Sequence, residues 1–261
     1  MNKHHQAISI TDIWYNTWKI FSGHFLKFLF VTSLPIIISY LFLWSVEGSF
    51  VFSVKTLPDP SKIFSPTSGF IYFTIIAFII ILICEIWGTI ALVLTTINHK
   101  HIKLSEIFYK SLEFFWPVIV LSVLSLLITT LGLIIGYFFV FLVSLIVGLL
   151  SLQFLNNYFG YIDLIPLLFS LLISMFLIFA PFFLIDEKIK PTLAIRKSYR
   201  IIKSFFWPFI IRIILIYAVI TTVSFLLNFI PYAGQALAIF LSAPLLSIYL
   251  YNMYMDFKPK A

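Results

Sequence analysis

Glu85 is a carboxyl-bearing residue in the middle of a long apolar run. If that run is a membrane helix, the side chain lies about 12 residues, or ~18 Å, from the end of the helix that leads into the segment around Lys100. A carboxyl group inside a membrane is energetically costly, and by default it indicates a path for protons or ions. The alternative is a protonated or hydrogen-bonded Glu85 that packs between helices and has a structural role alone.

Arg212 is the second ionisable residue inside a predicted span. It lies about five residues from the start of its apolar run, so its long side chain is expected to extend back to the membrane surface. At that depth Arg212 would meet Glu85 only if the two helices were displaced along the membrane normal.

A basic amphipathic segment is the candidate for a second kind of chemistry, the binding of anionic lipid headgroups. Its helical spacing puts five cations largely on one face: Lys190, Arg196, Lys197, Arg200 and Lys203. Ile195, Tyr199 and Ile202 lie on the other face. Such a helix gains ~1 kcal/mol of attraction to an anionic membrane per basic residue. The alternative interpretation is topological, in which the charges only hold this loop in the cytoplasm.

The histidines do not form a complete metal site. His99 and His101 have the spacing of two ligands, but no cysteine or carboxylate accompanies them, so we predict no metal and no other cofactor. The segment Asp186-Glu187 is interpreted as marking the end of a span. No nucleophile elbow, phosphate-binding loop, dinucleotide fingerprint or zinc-protease motif is present, and we predict that the protein is not an enzyme.

The amino-acid composition indicates that these residues lie in a membrane protein rather than in a soluble one. Of the 261 residues, 62% are hydrophobic and only 10% are charged, and the mean hydropathy is +1.09. These values exclude a soluble enzyme. The net charge of +7 reports which loops face the cytoplasm, so no nucleic-acid partner is predicted.

Six apolar runs have the ~20 residues that a membrane-spanning helix needs. We place the spans at 25–44, 70–97, 115–137, 165–184, 207–228 and 235–255. With these spans, 15 of the 17 Lys and Arg residues fall on one side of the membrane and only Lys55 and Lys62 fall on the other. Both termini are therefore predicted to be cytoplasmic.

The stretch 114–155 contains no charged residue over 42 positions, about twice the length of one span. Two extra crossings would put the basic stretch that follows on the wrong side. We therefore expect 138–155 to be a re-entrant, interfacial or strongly tilted helix between spans three and four. Gly132, Gly136 and Gly148 are the expected break points.

Three segments of the chain align without gaps at offsets of 94 and 87 residues: 8–19, 102–113 and 189–200. One aligned column holds the hydroxyls of Thr11, Ser105 and Thr192, which are predicted to be helix N-caps. Another holds the small hydroxyl residues Thr17, Ser111 and Ser198, which would allow close helix packing. The tetrapeptide Phe-Phe-Trp-Pro also occurs twice, at 114–117 and 205–208.

These matches predict one all-α membrane domain over 1–261, built from three repeat units of about 8–97, 102–184 and 189–255. Each unit consists of an amphipathic helix at the cytoplasmic interface followed by two spans. The three units start on the same side of the membrane. This arrangement differs from the inverted repeats of many secondary transporters.

The third unit carries a short set of motifs. They are Pro181, Asp186-Glu187, Ala194-x-x-x-Ser198-Tyr199 and Phe206-Trp207, and the chain opens with Ile8-Ser-Ile-Thr. With these motifs the chain resembles the YciC-like bacterial inner-membrane proteins and the related membrane domain of some glycerophosphodiester phosphodiesterases. The resemblance covers most of the chain, apart from the long apolar stretch after the third span.

The resemblance implies a six-helix domain in the bacterial inner membrane with a role in envelope or lipid biology. The soluble barrel of the phosphodiesterases, with its His-Arg-Gly signature, is absent here, so their activity is not implied. We therefore expect a non-enzymatic protein that binds lipid, most readily anionic lipid. Two alternatives are a small transporter or flippase that uses Glu85, and a membrane scaffold for a separate lipid-metabolising enzyme.

Overall fold

The computed structural model describes residues 9–56, 68–100, 102–149, 164–230 and 234–258. Within these ranges all the regular secondary structure is helical. The helices are α1 (Ile10–Gly23), α2 (Phe25–Thr56), α3 (Ser68–Ile97), α4 (Leu104–Leu149), α5 (Leu164–Met175), α6 (Ala180–Asp186), α7 (Pro191–Ser204), α8 (Phe206–Leu227) and α9 (Gly234–Phe257). The prediction of an all-α chain is confirmed for the described residues.

Five stretches in the described ranges are long and apolar enough to cross a membrane. They are Thr74–Ile97, Leu104–Ile146, Leu164–Asp186, Phe206–Leu227 and Leu237–Phe257. A sixth is counted if Ile10–Gly23 and Phe25–Ser39, which meet at an angle of 79°, form one broken span. These helices are those of a multi-pass membrane protein, while the predicted number of six spans stays a prediction.

The chain forms two compact units, and neither is continuous in sequence. The first unit comprises Met1–Phe115 and Arg212–Asp256, and the second comprises Trp116–Ile211 and Phe257–Ala261. In the first unit, Phe21, Phe28 and Ile248 form one buried apolar cluster. The predicted organisation as a single domain with three repeat units stays a prediction.

Helix α4 continues through the glycines at which we expected it to break. It has 46 residues, or ~69 Å of helix, so 138–149 extends the third span and the predicted separate helix is wrong for these residues. The rest of that segment, 150–155, lies outside the described residues. The glycines instead make room for α5, because a Cβ atom added at Gly136 would lie 2.5 Å from the Pro166 Cα atom.

Helices α1, α4 and α7 begin at Ile10, Leu104 and Pro191, which occupy one column of the alignment. The hydroxyl column Thr11, Ser105 and Thr192 therefore lies one position inside each helix, and the N-cap prediction is wrong. Ser9 caps α1 instead, since its Oγ accepts the Thr11 N–H at 3.3 Å. Pro191 has no N–H group that would need a cap.

The second amphipathic segment is not a separate helix, unlike the first and third. Helix α1 ends before α2 at His24, and α7 ends before α8 at Phe205, but 104–113 runs directly into the span within α4. The repeated Phe-Phe-Trp-Pro tetrapeptide reflects this difference. Pro208 lies in the first turn of α8, where its missing N–H costs nothing, while Pro117 lies inside α4.

The small hydroxyl column, by contrast, is fully buried in all three segments, at Thr17, Ser111 and Ser198. Thr17 Oγ1 donates to the Ile13 carbonyl at 2.7 Å and accepts a hydrogen bond from Asn252 Nδ2 at 3.0 Å. Ser198 Oγ donates to the Phe176 carbonyl at 2.7 Å and accepts the Phe179 N–H at 3.2 Å. These contacts agree with the predicted role of the column in close helix packing.

The glycines of α4 provide a test of the α4–α5 contact. We expect Gly136→Ala to lower the unfolding free energy by about 1–3 kcal/mol, because the new methyl group would meet backbone atoms of Pro166. Gly132→Ala is the matched control, since the close contact of its methyl group would be with the end of the flexible Ile173 side chain, the Phe169 carbonyl oxygen lies at an ordinary contact distance of 3.5 Å, and Ala favours the helix by ~1 kcal/mol. Thermal unfolding in detergent measures both, and equal effects would contradict the proposed contact.

Candidate functional site

Glu85 lies inside the candidate span Thr74–Ile97, 12 residues from its Ile97 end. Its side chain is exposed at the surface of the protein. Ser39 of α2 donates a hydrogen bond to Glu85 Oε1 at 3.2 Å. The hydrogen bond to a neighbouring helix, which the structural alternative for Glu85 predicted, is therefore present, and the functional role of Glu85 stays a prediction.

A cavity of about 430 Å³ adjoins Glu85 within the first compact unit. Helices α2 and α3 form most of its wall, and Ile239 and Ala243 of α9 complete it. The polar side chains that line it are Thr32, Ser39, Glu85 and Thr89. The two main helices approach closely here, because a Cβ atom added at Gly88 would lie 2.6 Å from Pro35 Cγ.

Arg212 does not extend to the membrane surface as expected. Its side chain is 4% exposed, and its Nη1 atom lies 2.7 Å from Oδ2 of Asp256, which is also 4% exposed. Tyr249 donates its hydroxyl hydrogen to the Arg212 carbonyl at 3.3 Å. The pair explains the burial, because a buried guanidinium needs an anionic partner.

The sequence analysis missed Asp256, although a signal for it was present. Spans 207–228 and 235–255 are joined by a short turn, so they run antiparallel. Residues near the start of one and the end of the other must then lie at similar depth. Arg212 and Asp256 occupy those positions, and their pairing follows from the antiparallel arrangement.

Helix α7 buries one stripe and exposes the opposite one. Ala194, Ser198, Ile201 and Ile202 are buried. At 100° per residue, Arg196, Arg200 and Lys203 lie on the side opposite that stripe, and all three are exposed. We call these three residues the basic stripe. Lys203 Nζ also lies 5.8 Å from the centre of the Tyr199 ring.

The other two predicted headgroup ligands lie apart from the basic stripe. Lys190 is exposed and is the residue that precedes the first turn of α7. Lys197 points toward the protein and forms an ion pair with Glu187. The charge of Lys197 is therefore compensated within the chain, while the role of the five cations as headgroup ligands stays a prediction.

A small ion-pair network lies at the end of α6, around Asp186 and Glu187. From the sequence, these two residues were predicted only to mark the end of a span. Lys258 Nζ lies 2.8 Å from Asp186 Oδ2 and 3.1 Å from Glu187 Oε1. Partial burial acts to raise the pKa of Glu187, but the hydrogen bonds and positive charges of Lys197 and Lys258 outweigh it. The pKa of Glu187 is therefore lower than usual.

A basic side chain also closes the turn between α3 and α4. Lys27 Nζ donates to the carbonyls of His99 at 3.1 Å and of Ile102 at 2.9 Å. The His24 and His99 rings are 5.4 Å apart. Within the described ranges no three His, Cys, Asp or Glu side chains come together as metal ligands, and His101 lies outside these ranges.

The fold and the site define a class of protein, a multi-pass α-helical membrane protein with a cavity beside a carboxyl side chain and a basic amphipathic helix. No protein-family model, no curated protein and no solved structure matches the chain. Function is therefore inferred from the helices and side chains themselves.

The buried Arg212–Asp256 pair provides a second test. We expect Arg212→Met to lower the unfolding free energy by about 3–5 kcal/mol, because Asp256 would remain buried without its partner charge. The double variant Arg212→Met, Asp256→Leu should recover most of that loss. Chemical or thermal unfolding in detergent measures both, with exposed Arg200→Met as the control. A double variant as unstable as the single one would argue against the pair.

The lowered pKa of Glu187 predicts a pH dependence of stability. A carboxyl group with a lowered folded-state pKa adds stability above its usual pKa and loses it as the pH falls through the folded-state value. The difference in melting temperature between the parent protein and Glu187→Gln should therefore shrink on acidification from pH 7 into the acidic range. Glu106→Gln, on the exposed Lys110 pair, is the control. A difference that stays constant with pH would contradict the role of Glu187.

Proposed function

We propose that this chain is a non-enzymatic protein of the bacterial inner membrane that contributes to envelope or lipid homeostasis by binding anionic lipid headgroups. The observation that carries the proposal is the basic stripe of α7. Arg196, Arg200 and Lys203 are exposed, and in the described part of the chain no carboxylate pairs with them. They are free to interact with an external anion.

The flanks of the basic stripe support a lipid as that anion. Tyr199 and Leu193 lie on either side of the stripe, and both are exposed. An interfacial helix that binds lipid needs such apolar side chains beside its cations, since these side chains enter the boundary between the lipid headgroups and the hydrocarbon. Arginine also suits phosphate, because its planar guanidinium donates two parallel hydrogen bonds.

The topology and the repeat belong to the same proposal. With the predicted spans, 15 of the 17 basic residues fall on the side of the membrane that carries both termini, and the charge rule favours the cytoplasm for that side. The shared starting column of α1, α4 and α7 and the buried hydroxyl column support three units of like orientation. The resemblance to YciC-like proteins favours the same membrane and the same field of function.

A small transporter is a second candidate function. One observation favours it, the exposed Glu85 beside a cavity inside a candidate span. A carboxyl group at that depth is retained at a cost, and a transported ion or proton is the usual reason. Proton or solute flux in vesicles, compared between the parent protein and Glu85→Gln, tests this candidate; equal flux would remove it.

Neutralising the basic stripe tests the proposed lipid binding. We expect the triple variant Arg196→Gln, Arg200→Gln, Lys203→Gln to weaken cardiolipin binding by up to ~100-fold, since each cation contributes ~1 kcal/mol of attraction. Titration of cardiolipin into the purified protein in neutral detergent, followed by native mass spectrometry, gives the apparent Kd.

A matched triple removes the same charge elsewhere: Lys19→Gln, Lys100→Gln, Lys103→Gln. All three residues are exposed. We expect this variant to retain most of the affinity, and phosphatidylcholine to bind all three proteins equally weakly. An equal loss of cardiolipin affinity in both triple variants would show that binding depends on net charge and not on the basic stripe. Unchanged cardiolipin binding by the stripe variant would refute the proposal.

A further inference from the structure

The cavity beside Glu85 contains a carboxyl group without a basic neighbour. Among the described residues that line it, none is Lys, Arg or His. Arg212, the second candidate polar residue inside the membrane that the sequence indicated, is paired with Asp256. An ionised Glu85 therefore needs a positive charge from outside the protein, because an uncompensated charge is costly at this depth.

The hydroxyl groups of the cavity have their hydrogens committed. Thr32 donates to the Phe28 carbonyl at 2.8 Å, and Thr89 donates to the Glu85 carbonyl at 2.9 Å. Ser39 donates to Glu85 Oε1. A hydroxyl has one hydrogen and two lone pairs, and an ionised carboxylate only accepts. The described side chains of the cavity therefore present acceptors and no free donor, which favours a ligand rich in N–H or O–H groups.

The rest of the wall is apolar. Val31, Ile36, Ile81 and Leu92 line the cavity from α2 and α3, and Ile239 lines it from α9. Its volume of about 430 Å³ lies in the range of small-molecule sites, ~300–1,000 Å³. A bare divalent cation fits poorly, since calcium takes about 6–8 oxygen ligands and four oxygen-bearing side chains surround this space.

We propose that this cavity binds a monovalent organic ammonium ion with an apolar body. Glu85 pairs with the ammonium group, the lone pairs of Ser39 and Thr89 accept its two remaining N–H bonds, and the apolar wall contacts the body. This inference names the ligand class of the transporter candidate. It is independent of lipid binding by the basic stripe.

Equilibrium binding to the full-length protein in detergent tests the inference. The probe is radiolabelled phenethylammonium, and 2-phenylethanol is the neutral competitor of the same shape. We expect the radiolabelled probe to bind saturably. Unlabelled phenethylammonium should displace it, while 2-phenylethanol at the same concentration should not. Glu85→Gln, which keeps the shape of the side chain, should weaken binding roughly tenfold or more, because an ion pair becomes a neutral contact. Ser39→Ala should weaken it less.

Two further variants separate the site from the fold. Ala243→Phe fills the cavity and leaves Glu85 in place, so it should also abolish binding, while the exposed control Glu106→Gln should bind like the parent protein. Melting temperatures show whether each variant is folded. Binding without measurable flux would support the site and remove the transporter candidate. Absent saturable binding, equal binding by Glu85→Gln, or equal competition by 2-phenylethanol would overturn the inference.

Discussion

The hydrocarbon interior of a bilayer offers no hydrogen-bond partners, and this constraint determines most of the structure. The backbone meets it by forming helices. Hydroxyl side chains meet it by donating to the carbonyl four residues earlier in the same helix, as Thr95 does to Ala91 at 2.7 Å and Thr129 does to Ser125 at 2.7 Å. Across the described residues, every buried side-chain nitrogen or oxygen has a hydrogen-bond partner. Polar residues therefore persist inside an apolar chain because each buried polar atom has a partner, in its own helix or in a neighbouring one.

Charged groups meet the same constraint in two different ways. Arg212 and Asp256 neutralise each other and are sealed from solvent, so they contribute a fixed link between α8 and α9. Glu85 has a hydroxyl partner but faces a cavity free of basic side chains. The Arg212–Asp256 pair is neutral within the protein, whereas we propose that Glu85 is neutralised by a cation that enters the cavity. This difference separates a structural ion pair from a candidate binding site, although both lie within apolar helices.

The sequence predicted what depends on local pattern and failed where separate helices meet. Hydropathy located five stretches that are long and apolar enough to cross a membrane, because length and apolarity are properties of one segment. The alignment identified the hydroxyl column of Thr17, Ser111 and Ser198 that is buried. The helix starts were misjudged by one residue. The ion pair of Lys197 was not predicted because its partner Glu187 lies across a turn, and the position of Glu85 within an apolar helix was predicted but its cavity was not. Glycine spacing alone could not distinguish a break in α4 from a contact with α5.

The uninterrupted α4 has a consequence for the surrounding lipid. From Phe114 to Leu149 it contains 36 uncharged residues, or ~54 Å of helix. Tilted by ~40°, the upper end of the common range, this stretch still spans ~41 Å, while the hydrocarbon core is ~30 Å thick. Its large apolar side chains are exposed as far as Ile146, so withdrawal into water is unfavourable. The mismatch favours thicker bilayer around this helix, and the protein would thereby sort into, or locally create, membrane of unusual thickness.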